Sequence, residues 1–252
     1  MNRIADYHEL KTKIVSWIKK YAISNNIESL VVGVSGGIDS AVVSTLCAET
    51  GLKTYVLSMP LLSKIDSDKL SDSHTKVLEE KYNNVTRIRV DLSGVYDKFI
   101  HSLNWWTESL DYTSNELANA NTKSRLRMVT LYQVAGTVGG IVVGTGNKVE
   151  DYGVGFYTKY GDGGVDIAPI ADLYKTEVWM LGEHLGIDER IISAPPTDGL
   201  WDDGRTDEDQ IGASYEELER AMETGEGPGL EPLLKFSGMN SHKMNPIPTF
   251  KL

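Results

Sequence analysis

Near the start of the chain, Tyr7, Leu10, Ile14, Trp17, Ile18 and Tyr21 recur at helical spacing. They predict an amphipathic first helix whose apolar stripe meets a core or an interface. The period then changes. Leu30 to Val34 is a continuous apolar run of the kind found in a parallel strand buried on both faces, and Ser40 to Thr50 reads as a helix stopped by Gly51. Thr54 to Ser58 is a second strand. A polar helix over about 71–82 leads to a third strand, Val85 to Val90, and a long helix over about 115–137 leads to a fourth, Ile141 to Val143. Alternation of this kind implies right-handed crossovers and an α/β fold. We expect a Rossmann-like, doubly wound, mostly parallel five-stranded sheet flanked by helices, with ligands at the carboxyl ends of the strands.

Further along, Gly153 to Gly164 is rich in glycine and aromatics and reads as an ordered loop. Asp172 to Leu185 reads as a helix capped by Asp172 and ended by Gly186. Pro195 to Asp209 has the composition of a loop, Ser214 to Glu223 is a short helix, and Gly225 to Pro228 marks a turn. Met128 to Asn147 carries no charge over 20 residues, but its five glycines, Gln133 and Asn147 favour a buried helix and strand over a membrane span. The N-terminus carries charges throughout and does not read as a signal peptide. We expect a single domain over the 252 residues, without internal repeats.

Composition narrows the chemistry. A lone cysteine, Cys47, excludes a disulfide and a Cys/His zinc cluster and suits a reducing, cytoplasmic setting. It sits among Val42, Val43, Leu46 and Ala48 and reads as a small core residue. The formal charge of −11 argues against nucleic acid as a partner, though not against a nucleotide held by backbone amides and a few lysines.

Candidate chemistry begins after the first strand, at Ser35-Gly36-Gly37-Ile38-Asp39-Ser40. Two glycines allow a tight turn and close approach, and the amides of the loop and the following helix start converge on one spot, an arrangement suited to pyrophosphate. A helix cap alone would account for Ser35 or Asp39 but not for the six in order. Neither G-x-x-x-x-G-K-[ST] nor G-x-G-x-x-G occurs.

This loop resembles that of the ATP pyrophosphatases that adenylate a substrate. Three further segments narrow the resemblance to the ammonia-dependent NAD synthetases: Gly144-Thr145-Gly146-Asn147-Lys148-Val149-Glu150, Thr158-Lys159-Tyr160-Gly161-Asp162-Gly163-Gly164, and Asp166 to Lys175. The resemblance runs from about Ile4 to the region of Lys243. It implies that Gly33, Val34, Ser35, Gly36, Gly37, Ile38, Asp39 and Ser40 hold ATP, together with Thr145, Lys175 and Thr197. It implies magnesium ligation by Asp39 and Glu150, and catalytic roles for Asp39 and Lys175. Deamido-NAD would be held by Arg125, Lys159, Asp166, His242 and Lys243. Between Glu150 and Thr158 the chain is one residue longer than the commonest family form, so either Glu150 or Asp151 could face the metal.

The implied reaction is amidation of deamido-NAD by ammonia, with ATP converting an unreactive carboxylate to an acyl adenylate and releasing pyrophosphate and then AMP. Glutamine-using relatives carry an extra amidohydrolase domain, which we do not expect here. A tRNA-modifying enzyme shares the loop but is opposed by the acidic charge and single cysteine, and a non-catalytic nucleotide sensor by the presence of both carboxylates. The resemblance also implies a homodimer, for which the first-helix stripe and Trp105, Trp106 and Tyr112 offer surface.

Overall fold

The computed structural model describes residues 3–62, 65–107, 116–197 and 206–251. Its centre is a parallel sheet of β1 (Ser29–Gly33), β2 (Lys53–Ser58), β3 (Val85–Arg89) and β4 (Gly140–Val142), in the order β3-β2-β1-β4. Val31 lies between Tyr55 and Val142, which fixes the register across the middle. The order reverses at β1, opening a crevice between the loops that leave β1 and β4.

The sheet has four strands among the described residues, not the expected five. Where a fifth would run, the chain makes a single parallel bridge between Val143 and Ile167. Asp166 explains the truncation: its Oδ2 accepts the Val142 amide at 2.8 Å, the bond a neighbouring strand carbonyl would otherwise receive, and Pro169 lacks an amide with which to continue.

Side chains alternate across the strands and divide the core into two layers. Leu30 and Val32 pack under α1 (Tyr7–Ser24), α2 (Ile38–Glu49) and later helices, whereas Val31 and Val142 face the opposite layer. α3 (Ile65–Lys81) follows β2, starting before the expected 71. α4 (Ser93–Thr107), not anticipated, and α5 (Glu116–Thr137) cover the second face. The stripe on α1 is mostly core: Ile14, Ile18 and Ala22 are buried, while Trp17 and Tyr21 remain exposed. Trp105, Trp106 and Tyr112 carry no described side chain. Cys47 is fully buried, and burial pushes its thiol well up. No described helix is long and apolar enough to cross a membrane.

α6 (Lys175–Leu185) is capped by Tyr174 and ends at Gly186 in the left-handed region. Asp172 does not cap it; its carboxylate pairs with Lys148 Nζ at 2.7 Å. α7 (Glu189–Ile192), α8 (Asp207–Ile211), α9 (Tyr215–Thr224) and α10 (Leu230–Met244) complete the chain. α8 begins inside the expected loop 195–209, of which 198–205 lie outside the described residues, and α10 was not anticipated. α9 starts after its Ser214 cap, close to expectation.

α2 and α6 pack unusually closely because Gly182 has no side chain: a Cβ there would come 2.6 Å from Ile38 Cδ1. Asp39 lies in the first turn of α2 and Lys175 opens α6, and the Lys175 ammonium joins the two helices through the Asp39 carboxylate.

Candidate active site

The loop after β1 is built by hydrogen bonds among its own residues. Gly36 has φ of +94°, a conformation that glycine adopts without strain. Ser40 Oγ donates to the Gly37 carbonyl at 2.9 Å and accepts the Ser35 amide at 3.1 Å. The Gly37 amide reaches Ser35 Oγ at 3.2 Å. Val34 is buried, and its carbonyl accepts Ser71 Oγ from α3 at 2.7 Å. Gly33 to Ser40 therefore form one fixed turn leading into α2, with Ser35 and Gly37 on the solvent side.

Asp39, Glu150 and Lys175 meet at the mouth of this turn. Lys175, 3% exposed, donates to Asp39 Oδ2 at 2.5 Å and to Glu150 Oε1 at 2.9 Å. Burial opposes its charge, but the two carboxylates outweigh that and raise its pKa. Asp39 is pushed up by burial and by the charge of Glu150, against Lys175 and Asn147. Glu150 is also penalised by burial, yet Lys175 and the Tyr215 hydroxyl hold it below its ordinary value.

Two partners in this network were not among the expected site residues. Asn147 caps the turn after β4 through its Oδ1 and turns its Nδ2 toward Asp39 Oδ1, 3.1 Å away. Its place in the Gly-Thr-Gly-Asn-Lys string was the available clue. Tyr215, fully buried at the start of α9, donates to Glu150 Oε1 at 2.7 Å and lies 3.1 Å from Asp207 Oδ2. Nothing in the sequence linked it to a residue so distant along the chain.

A π-helix runs over Lys148–Val154 and is ended by Gly155 in the left-handed region. Wider turns accommodate one residue more without altering where the flanking segments point, and such turns concentrate at functional sites. The geometry separates the two candidate metal ligands. Glu150 shares Lys175 with Asp39, whereas Asp151 lies over Gly146, where a Cβ would collide with its carboxylate. Burial and the charges of Glu150, Asp162 and Asp39 push Asp151 well above its ordinary pKa.

A second group of expected residues is joined through loop 158–164. Arg125 Nε donates to the Lys159 carbonyl at 3.3 Å, and Lys159 Nζ to the His242 carbonyl at 3.4 Å. Lys243 Nζ donates to the Tyr157 carbonyl at 2.6 Å, and the Tyr157 hydroxyl to the Lys243 carbonyl at 2.7 Å. Thus Arg125, Lys159, His242 and Lys243 lie together between α5 and α10. Asp162 turns its carboxyl inward from this exposed loop, accepting Ser124 Oγ at 2.7 Å and the Thr158 amide at 3.0 Å, and burial of that carboxyl raises its pKa.

Asp166 stands apart from that group: besides the Val142 amide it accepts the Tyr132 hydroxyl at 3.0 Å, so both oxygens serve the sheet edge. Thr145 is half-buried between Gly144 and Gly146, and Thr197 is exposed just before the undescribed segment.

The chain as a whole has counterparts among known proteins. A family model described as NAD synthase matches residues 10–248. The NH(3)-dependent NAD(+) synthetase of Carboxydothermus hydrogenoformans is 39% identical over 223 residues, 88% of each chain. Among solved structures, the NMN synthetase of Francisella tularensis is 30% identical, with a TM-score of 0.89 covering 99% of this chain and 100% of its own. The NAD+ synthetase of Burkholderia pseudomallei, 26% identical, gives a TM-score of 0.74 over 95% and 90%. With a family model over most of its length and a relative this similar across 88% of both chains, the chain belongs to the NAD synthase family.

Proposed function

We propose that this protein amidates deamido-NAD to NAD with ammonia, using ATP to form an acyl adenylate and releasing pyrophosphate and AMP. The observation that carries this reading is the meeting of the phosphate-type turn with Asp39, Glu150 and Lys175 at the carboxyl ends of β1 and β4. A nicotinate carboxylate is a poor electrophile because its charge repels nucleophiles and oxide does not leave. Attack of that carboxylate on the α-phosphorus of ATP replaces oxide with AMP as the leaving group. The loop amides are assigned to the charge that gathers on pyrophosphate, with Lys175 holding the Asp39 and Glu150 carboxylates beside them.

Asp39 and Glu150 suit magnesium. Both are hard oxygen donors, and the Lys175 ammonium already lies between them, marking a position where a cation balances two carboxylates. Among the described residues no third acidic, His or Cys side chain joins them in a ready-made metal cage, which fits an ion that also uses substrate phosphate oxygens. When bound, magnesium supplies neutralisation of phosphate charge. Asp162, whose carboxylate is fixed by Ser124 Oγ and the Thr158 amide, is assigned to take the proton that ammonium must lose before it can attack.

A second acceptor has a specific observation behind it. The Francisella NMN synthetase superposes on this chain with the higher of the two TM-scores. The same chemistry on nicotinate mononucleotide gives NMN. Measuring kcat/KM for both acceptors with ATP, magnesium and ammonium distinguishes the readings: a preference for deamido-NAD supports the first, a preference for the mononucleotide replaces it.

We also propose a homodimer, formed through α4 rather than α1. Val95, Phe99 and Leu103 lie four residues apart on one face of α4, all exposed. Sedimentation of Phe99→Glu as a monomer, against a dimeric parent, is the expected result; a monomeric parent defeats it.

A further inference from the structure

The inward stripe of α3 is polar where it meets the turn after β1. Ser71, His74, Thr75 and Leu78 recur at helical spacing and are all buried, yet only Leu78 is apolar. Leu78 packs in the apolar cluster of Val34, Ala48, Val56 and Val85. The Thr75 hydroxyl returns to its own helix, at the Ser71 carbonyl 2.9 Å away. The other two polar side chains leave the helix, and both end on the segment that forms the turn and the start of α2. Ser71 Oγ donates to the Val34 carbonyl at 2.7 Å, and His74 Nε2 lies 3.1 Å from Ser44 Oγ. Burying a hydroxyl and an imidazole carries a desolvation cost that their hydrogen bonds roughly offset, so an apolar stripe would hold α3 in place as well. Their contribution lies in what they hold.

Ser71 fixes the entry to the turn. The Val34 amide still donates to the Leu57 carbonyl of β2 at 2.8 Å, so this residue is held by the sheet on one side and by α3 on the other. His74 fixes the exit, through the start of α2. The Ser44 hydroxyl has one proton and directs it to the Ser40 carbonyl at 2.7 Å, with the Ala41 carbonyl 3.1 Å away, so the imidazole is the donor through Nε2. Ser40 is the residue whose Oγ closes the turn onto Gly37 and Ser35. α3 is itself anchored to the sheet, because Asp72 pairs with Arg87 and Arg89 of β3, each at 3.2 Å. The Gly37 cap offers no side chain to the first amides of α2, which suits them to an anion. We infer that Ser71 and His74 are positioning residues for the ATP phosphates, bracing the turn at both ends so that its amides converge before the nucleotide arrives. This assignment rests on the reading above that the turn holds ATP.

The test uses Ser71→Ala, His74→Leu and His74→Gln in the full chain, with titration calorimetry of ATP and of AMP, each with magnesium and without acceptor. AMP lacks the pyrophosphate that the turn would hold, so it reads the rest of the nucleotide site. Ser71→Ala and His74→Leu are expected to bind ATP on the order of tenfold more weakly than the parent, with AMP affinity within about twofold. His74→Gln keeps a donor near the Nε2 position and should stay close to the parent for ATP. Equal losses for ATP and AMP would mark a general loosening of the fold and overturn the assignment, as would parent-like ATP affinity in a folded Ser71→Ala protein. Equal losses in the Leu and Gln variants would overturn the part given to the His74 donor. Ser71→Ala is the smaller change and decides the assignment by itself if His74→Leu does not fold. Calorimetry needs no turnover, so a parent that binds ATP yet makes no amide refutes the amidation reading and leaves this one standing. A parent that binds ATP no more tightly than AMP refutes the phosphate turn and the assignment together.

Discussion

Replacing Lys175 with methionine tests the buried charge network that joins α2, the π-helix and α6. The ammonium is 3% exposed and is held at 2.5 Å from Asp39, 2.9 Å from Glu150 and 5.0 Å from the Tyr215 ring centroid. Lys175→Met keeps much of the side-chain volume but leaves two carboxylates facing each other without a counter-charge. Breaking one side of a buried pair costs about 3–5 kcal/mol. For a chain of this size that corresponds to a fall of roughly 6–20 °C in Tm. The loss depends on pH, with a definite sign. Without Lys175 the carboxyl pKa values in the folded protein rise above their unfolded values, so the folded variant binds more protons. Its stability therefore falls as pH rises through those raised values, and the deficit against the parent is larger at pH 7 than at pH 5. Urea unfolding of parent and variant at both pH values reads the difference directly. A deficit below about 1 kcal/mol, which is the worth of an exposed pair, or one that does not grow with pH, would refute the view of Lys175 as the counter-charge of this network.

Asp39→Asn removes a full charge from the phosphate-facing turn and should abolish acceptor-dependent ATP–pyrophosphate exchange, a loss on the order of 3 kcal/mol or a hundredfold. Asp162→Asn should keep that exchange and lose amide formation at low ammonium. Loss of exchange in Asp162→Asn would reject its role in handling the proton of ammonium. Lys159→Ala should raise the acceptor KM with ATP affinity unchanged, whereas Asp166→Ala should lower stability by about 1–3 kcal/mol through the orphaned Val142 amide and Tyr132 hydroxyl. Equal thermal stability of the Asp166→Ala protein and the parent would contradict a structural role for Asp166 at the sheet edge. His74 is buried against Ser44, and burial pushes its pKa down from 6.5 to about 4, opposed by a hydrogen bond to the Ala41 backbone and by the charge of Asp188. The unfolded chain binds the proton first, so this contribution is complete above pH 6.5 and is lost as pH falls toward 4, on the order of 3 kcal/mol. His74→Gln should flatten the pH dependence of stability in that window, and an unchanged profile would reject the assignment.

The four strands were legible to within a residue or so because a continuous apolar run between helical patterns has few other uses in a chain of this length. The helices around the site were less legible. α10 contains Pro232 in its first turn and Gly238 in its middle, and α4 carries Gly94 beside its start, residues that read locally as breaks. Proline is tolerated in a first turn because the amide it lacks has no partner there, and a glycine such as the exposed Gly238 costs a helix interior only about 1 kcal/mol. Asp172 had the composition of a cap, but Lys148 competes for its carboxylate and α6 begins at Lys175 instead. In the site, the turn at 35–40, Glu150 and Lys175 could be read because each belongs to a compact string. Tyr215 and the two-sided attachment of Asp166 could not, because both depend on pairings between distant segments that no local pattern encodes.

If the nicotinate carboxylate itself attacks the α-phosphorus of ATP, as proposed above, one of its oxygens must pass to AMP. Deamido-NAD carrying heavy oxygen in that carboxylate, incubated with the protein, ATP, magnesium and ammonium, tests it by mass spectrometry of the nucleotide products. Carboxylate attack leaves one labelled oxygen on AMP, with pyrophosphate unlabelled and NAD retaining one. Label in inorganic phosphate accompanied by ADP, or NAD formed with unlabelled AMP, would contradict an acyl-adenylate path.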